Sequence, residues 1–126
     1  MTIELPKDKW TGMVRVETIG ATAAEGGTRT KTVTVGGEKT MPFLHFEGDT
    51  PNSPVIAVEI KDKRPEDWST LLLETWGEAA NNPADWAKAA EAAGADMIVL
   101  DLSLTGKSGP LTADEAVASV KSVLAA

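Results

Sequence analysis

Apolar and polar positions follow two rhythms in this chain. Up to residue 53 the rhythm is short alternation broken by glycine. From residue 54 onward, short apolar runs are interleaved with alanine-rich stretches of helical period. In the first part, Met13, Arg15 and Glu17 alternate with Val14 and Val16, which predicts a strand with one apolar and one wet face. Gly20 and Gly26-Gly27 then break the chain. Thr30, Thr32 and Thr34 alternate with Lys31, Val33 and Val35. Gly36-Gly37 is a two-residue turn that takes positive φ without steric cost. Glu38 to Met41 is the predicted return strand, closed off by Pro42.

The second part reads as strand and helix, twice. Val55-Ile56-Ala57-Val58-Glu59-Ile60 is β-branched and nearly continuous, as suits a parallel strand covered on both faces. Pro65 to Trp76 is predicted helical, with Glu66 and Asp67 in an acidic first turn and Trp68, Leu71, Leu72 and Trp76 on one face. Asn82-Pro83-Ala84-Asp85 is a helix start: Asn82 caps, Pro83 fits the first helical position, and Asp85 stands where a capping-box acid belongs. Trp86, Ala89, Ala90 and Ala93 form the stripe, and Gly94 ends the helix. Met97 to Leu102 is a second buried strand. Thr112-Ala113-Asp114-Glu115 is a capping box, with Ala116, Val117, Val120, Val123 and Leu124 as the core face of the last helix.

The order predicts an α/β chain, with an N-terminal β-hairpin region over residues 1–53 and a βαβα portion over residues 54–126. The length of 126 residues is that of one ordinary domain. It is about half of the roughly 250 residues a closed (β/α)₈ barrel needs. The strand–helix order therefore looks like the opening of a larger α/β architecture, or else a compact α+β domain. Hydrophobic residues make up 42% and charged residues 25%, which places the chain among globular proteins. Lys plus Arg is 12 against 19 for Asp plus Glu, a net charge of -7, and no basic patch offsets it. That argues against a phosphate-backbone binder, so no nucleic-acid partner is expected. The polar stretch Met1 to Trp10 is unlike a secretory leader, and no apolar run reaches the 18 or so residues that span a bilayer. A cytoplasmic protein with no membrane partner is expected. With no cysteine in the chain, thiolate zinc or iron–sulfur ligation from this chain alone is excluded.

Candidate chemistry is sparse. His45 is the single histidine: either a structural residue hydrogen-bonded in a loop between Phe43 and Phe46, or a ligand contact. Glu59 and Asp101 each lie at the carboxyl end of a predicted parallel strand, where open α/β sheets and barrels place their sites. They either organise neighbouring loops or line a site. Asp62, Lys63 and Arg64 form either a solvated turn or an interface. Gly106-Lys107-Ser108-Gly109 lacks the full phosphate-loop spacing, and Gly26-Gly27 precedes a strand where a dinucleotide loop opens a helix. An ATPase and a dinucleotide enzyme are both set aside. The stretch Gly20-Ala21-Thr22 to Gly26-Gly27-Thr28-Arg29 is either a connecting loop or an anion site. Trp68, Trp76 and Trp86, with Trp10, serve either as core or as interface anchors.

A chain of short motifs carries a resemblance. Gly20-Ala21-Thr22, Gly26-Gly27-Thr28-Arg29, Val33-Thr34-Val35-Gly36-Gly37-Glu38, Pro42-Phe43 and His45-Phe46-Glu47-Gly48 come first. Asn52, Pro54 to Glu59, Pro83, Trp86-Ala87 and Gly94-Ala95-Asp96 follow. Together, over about residues 20–102, they resemble the N-terminal part of the corrinoid iron–sulfur protein small subunit. In archaea the related chain is the delta subunit of the acetyl-CoA decarbonylase/synthase complex. The resemblance implies a TIM barrel of which this is the opening portion, with the 32–41 hairpin as a structural cover. It implies a cobamide held with a larger subunit, which also carries a [4Fe–4S] cluster in its own chain. The implied role is to help bind the cobamide and dock partners, a methyltransferase and CO dehydrogenase/acetyl-CoA synthase. Methyl groups then pass between methyltetrahydrofolate or methyltetrahydromethanopterin and acetyl-CoA synthase, in one-carbon metabolism and carbon fixation. Glu59 and Asp101 are then the residues expected nearest the cobamide, in a subunit that is not itself catalytic. Family members run to about twice this length or more, and the later strands are not matched. The alternatives are a cofactor-free protein-interaction domain and a fragment of a pterin-dependent methyltransferase.

Overall fold

A computed structural model describes residues 3–4, 11–40, 48–103 and 111–126. The chain divides into two compact units, Met1–Val55 and Ile56–Ala126.

In the first unit, β1 (Glu17–Ile19) and β2 (Val33–Val35) pair antiparallel, with Glu17 opposite Val35 and Ile19 opposite Val33. The hydroxyls of Thr18 and Thr34 hydrogen-bond across the pair at 3.1 Å. A β-hairpin is therefore present, but between other segments than the alternation predicts. Gly36 and Gly37 do take positive φ, 85° and 88°. They do not fold the chain back on Thr30–Val35. Instead the Gly37 N–H donates to the Val14 carbonyl and the Val14 N–H to the Glu38 carbonyl, each at 2.9 Å. The physical reason is close approach: a Cβ on Gly36 would lie 2.0 Å from the Arg15 carbonyl oxygen. Only glycine lets the two backbones meet here. Val14 and Val16 are as exposed as their polar neighbours, so the predicted apolar face does not form. Met41 and Pro42, the end of the predicted return strand, lie outside the described residues, as do Trp10, His45 and the Gly106–Gly109 motif.

The second unit holds β3 (Ala57–Lys61) and β4 (Met97–Asp101), paired parallel from Ala57 opposite Met97 to Lys61 opposite Asp101. Between them run α1 (Thr70–Trp76), a 3₁₀ turn (Gly77–Asn81) and α2 (Pro83–Ala92). After β4 comes α3 (Ala113–Ala125). Two βα units are thus present, the first with a divided crossover. The N-caps of α2 and α3 are the ones the sequence predicts. The Asn82 Oδ1 accepts from the amides of Ala84 at 2.8 Å and Asp85 at 3.4 Å, ahead of Pro83. Thr112 and Glu115 form a reciprocal capping box. Asn82→Ala leaves those amides without an acceptor and is expected to lower the urea-unfolding free energy by about 1 kcal/mol. An unchanged midpoint would show that the cap is not used.

The core lies on one face of this sheet. Ile60, Ala80, Trp86 and Ala87 are buried together, with Val58, Ile98 and Leu100 packing from the strands. Trp68, Trp76 and Val123 complete it from the helical side. Trp68 meets Trp86 edge-on with ring centroids 5.5 Å apart, and Trp76 stands 5.9 Å away. The tryptophans of this unit are core residues.

Two helical faces differ from expectation. Helix α1 starts at Thr70, because Ser69 caps it by accepting the Leu72 N–H. Pro65 to Trp68 precede the helix, and Leu71 and Leu72 point outward. On α3, Val123 packs on the core, but Val117, Val120 and Leu124 are 51%, 38% and 51% exposed. The apolar stripe of α3 is wider than the surface this unit offers it. Among the described residues, no helix is long and apolar enough to cross a membrane.

Candidate functional site

Strand alternation sorts the second unit's charges. Val58, Ile60, Ile98 and Leu100 point to the helices, so Ala57, Glu59, Lys61, Met97, Val99 and Asp101 share the opposite face. No helix covers that face among the described residues, and Val99 is 45% exposed on it. Glu59 and Asp101 therefore lie on one surface, as the expected site requires. Asp101 is the last residue of β4, whereas Glu59 is the middle residue of β3, two positions before its end.

What joins them is a residue that sequence reasoning missed. The Lys61 ammonium hydrogen-bonds the Asp101 carboxylate and lies 3.6 Å from Glu59 Oε1. The available signal was period two: Glu59 and Lys61 must share a face, and the parallel register sets Asp101 opposite Lys61. The hydrogen bond that Lys61 donates to Asp101, then the charges of Asp101 and Glu59, raise the Lys61 pKa above its ordinary value, against the opposing effect of desolvation. Lys61 stays protonated at neutral pH, and two carboxylates about one ammonium present acceptor oxygens on a half-apolar surface. Exposed pairs of this kind are worth about 0–1 kcal/mol each, so their importance is chemical rather than structural.

Asp62 contrasts with them. Of the two readings of residues 62–64, a solvated turn fails for Asp62, which is 9% exposed. Its Oδ1 accepts from the Ser103 N–H at 2.9 Å and from the Ser103 hydroxyl. Its own N–H donates to the Asp101 carbonyl at 3.2 Å, which extends the ladder past both strands. Asp62 thus ties the two strand ends together. Its Oδ2 is buried without a hydrogen-bond partner among the described residues. Arg64 is structural too: it donates to the Gly77 carbonyl at 3.1 Å and to Asn81 Oδ1 at 2.9 Å, bracing the 3₁₀ turn.

In the first unit, the glycine–threonine stretch is a closed connection from β1 to β2. The amides of Glu25, Gly26, Gly27 and Arg29 all donate to carbonyls within it. Glu25 takes the Thr22 N–H at 2.8 Å and its hydroxyl at 2.7 Å, and these bonds hold the Glu25 carboxyl below the ordinary range. A Cβ on Gly27 would fall 2.0 Å from the Ala21 carbonyl oxygen. With its amides engaged and a carboxylate in its midst, this is the connecting loop of the two readings. Among the described residues, no group of three or more His, Cys, Asp or Glu side chains is arranged to hold a metal ion.

No family model matches the chain. It is 37% identical over 100 residues to the acetyl-CoA decarbonylase/synthase complex subunit delta of Archaeoglobus fulgidus, covering 79% of this chain and 22% of that protein. It is 37% identical over 123 residues to subunit delta 1 of Methanosarcina thermophila, 94% of this chain and 27% of that one. The Methanopyrus kandleri subunit delta is 30% identical over 115 residues, 90% and 28%. The chain is homologous to the N-terminal part of these delta subunits. It spans about a quarter of the length of the relatives it matches.

Proposed function

We propose that the chain is a scaffold component of a delta-type, corrinoid methyl-carrying assembly of the acetyl-CoA pathway. In this reading it helps to hold a cobamide and to dock a larger corrinoid and [4Fe–4S] subunit, the methyltransferase and acetyl-CoA synthase. The match to delta subunits over 94% of the chain carries the reading. The further expectation is that the two strands open a TIM barrel whose inner face is the surface of Glu59, Lys61 and Asp101.

That surface fits the edge of a cobamide. The corrin rim bears amide side chains, which offer N–H donors and carbonyl acceptors. Glu59 and Asp101 supply acceptor oxygens, and Lys61 supplies a donor between them. The flanking Ala57, Met97 and Val99 suit the apolar ring faces. Among the described residues this surface carries no imidazole, and no cysteine is present in the sequence to bind a cluster. When bound, the cobamide supplies the cobalt that carries the methyl group. The chain's residues bind and orient: Glu59 and Asp101 accept amide hydrogens, Lys61 fixes both carboxylates, and Asp62 fixes the strand ends beneath them.

The test is cobalt content and the visible spectrum of the assembly purified anaerobically through this chain. The wild-type chain is expected to bring down corrinoid. The Glu59→Gln/Asp101→Asn double variant is expected to retain its protein partners and lose about tenfold in corrinoid affinity, as loss of roughly 1.4 kcal/mol implies, and so to carry less cobalt than the wild type. A wild-type assembly that contains no cobalt sinks the corrinoid reading. Full occupancy in the variant removes the two carboxylates from it.

A further inference from the structure

The crossover from β3 to β4 contains more chain than the connection needs. One helix suffices to join adjacent parallel strands, and α2 does so by packing against both. Residues 65–81 are an excursion ahead of it, closed at its neck. Arg64 donates to the Gly77 carbonyl and to Asn81 Oδ1. Trp68, just before α1, and Trp76, its last residue, both meet the buried Trp86 ring. Ser69 caps the start of α1, and Gly77 ends it at φ 54° and ψ −134°, a conformation that suits a residue without Cβ. A helix of seven residues does not hold itself together in water, so these anchors hold it.

What the anchored helix presents outward is apolar. Leu71 is 71% exposed and Leu72 46%, while Leu73 and Trp76 are half-buried. The two outward leucines add little to the core of this unit. Held in place beforehand, they lose little freedom on docking.

The charges select the occupant. From residue 65 to residue 87 the charged residues are Glu66, Asp67, Glu74, Glu78 and Asp85, and none is basic. Glu74 follows Leu71 by three positions and stands beside it on α1. A second copy would bring the same acids to the contact. An anionic lipid surface or a nucleic acid would meet them with its phosphates. A protein surface with an apolar socket edged by Lys or Arg matches both the leucines and the acids.

We propose that Leu71 and Leu72 form a docking knob for a basic-edged apolar socket on a partner protein, with Glu74 at the rim of the contact. The knob goes beyond the scaffold reading, because it concerns α1 and not the surface of Glu59 and Asp101, and it holds with or without a cobamide.

The experiment uses the assembly purified anaerobically through this chain from cells that make it at natural levels. A diazirine analogue of leucine placed at position 71 is expected to cross-link to one co-purifying protein, at a peptide that carries Lys or Arg beside apolar residues. Leu71→Ser with Leu72→Ser is expected to raise the dissociation constant of that protein, re-bound after separation, about tenfold or more at an unchanged circular dichroism spectrum. Glu74→Lys is expected to slow its association, and added salt to weaken its binding to the wild type. The proposal is overturned if the double serine variant binds as the wild type does, or if salt leaves the binding unchanged. It is overturned equally by a cross-link between two copies of this chain, by one to an acidic peptide, or by a chain that purifies alone. A partner that needs the leucines in an assembly without cobalt leaves the knob standing and sinks the corrinoid reading. Cobalt together with leucine-independent binding does the reverse.

Discussion

Trp86→Ala is expected to cost about 3–5 kcal/mol, the range for deleting a large buried aromatic. A small domain holds about 5–15 kcal/mol in total, so a large share of the second unit's stability goes with that ring. Trp86 is wholly buried, stands between Trp68 and Trp76, and lies beneath the inward side chains of both strands. No neighbour is placed to collapse into so large a void. Urea unfolding followed by far-ultraviolet circular dichroism measures the effect, and a loss under about 1.5 kcal/mol would contradict this packing. Trp86→Phe separates the ring from its polar atom. The Nε1 is buried with no acceptor among the described residues, an arrangement that costs about 1–3 kcal/mol. The phenylalanine variant keeps much of the ring and discards that penalty. It is expected to fall much closer to the wild type than alanine does.

Asp62→Ala comes next, with an expected loss of about 2–3 kcal/mol. The carboxylate holds the Ser103 amide and hydroxyl from a buried position, and nothing else described replaces it. Asp62→Asn keeps an acceptor at Oδ1 and is expected to cost about half as much. Ser103→Ala removes only the hydroxyl bond. In a double-mutant cycle the pair is expected to couple by about 1–2 kcal/mol. Strict additivity would mean that the two side chains do not support each other. Exchange at the Ser103 amide should quicken in Asp62→Ala before the core amides do, because the strand end opens locally.

The elements of the second unit were legible because their signals are local. Asn82-Pro83, Gly94 and the Thr112–Glu115 box act within one turn of their helices. The near-continuous runs at Val55–Ile60 and Met97–Leu102 place the two strands but misjudge their cover: they predict burial on both faces, and among the described residues only the face of Val58, Ile60, Ile98 and Leu100 is packed. The start of α1 was misplaced because Ser69 caps as well as an acidic turn does, and the cap decided the register. The hairpin was drawn between the wrong segments for a related reason. Gly36-Gly37 satisfies the dihedrals of a tight turn, but it equally satisfies close passage beside Arg15. Sequence pattern does not separate those uses, because both require φ > 0 and no Cβ. At the candidate site the two carboxylates were visible from their places in the strands, while Lys61 and Asp62 were not. Lys61 acquires its meaning from register across 40 residues of separation. Asp62 reads as a turn residue until Ser103 arrives, 41 positions later.

Among the described residues, no helix covers the face of the parallel sheet that carries Glu59, Lys61 and Asp101. An uncovered sheet with open edges is a template on which further copies of a chain stack, and proteins blunt such templates with charges that point from the flat face. Glu59, Lys61 and Asp101 stand on that face beside Ala57, Met97 and Val99. A newly made molecule waiting for whatever covers the sheet thus carries its own gatekeepers against aggregation. Charges on a flat sheet face disfavour such stacking.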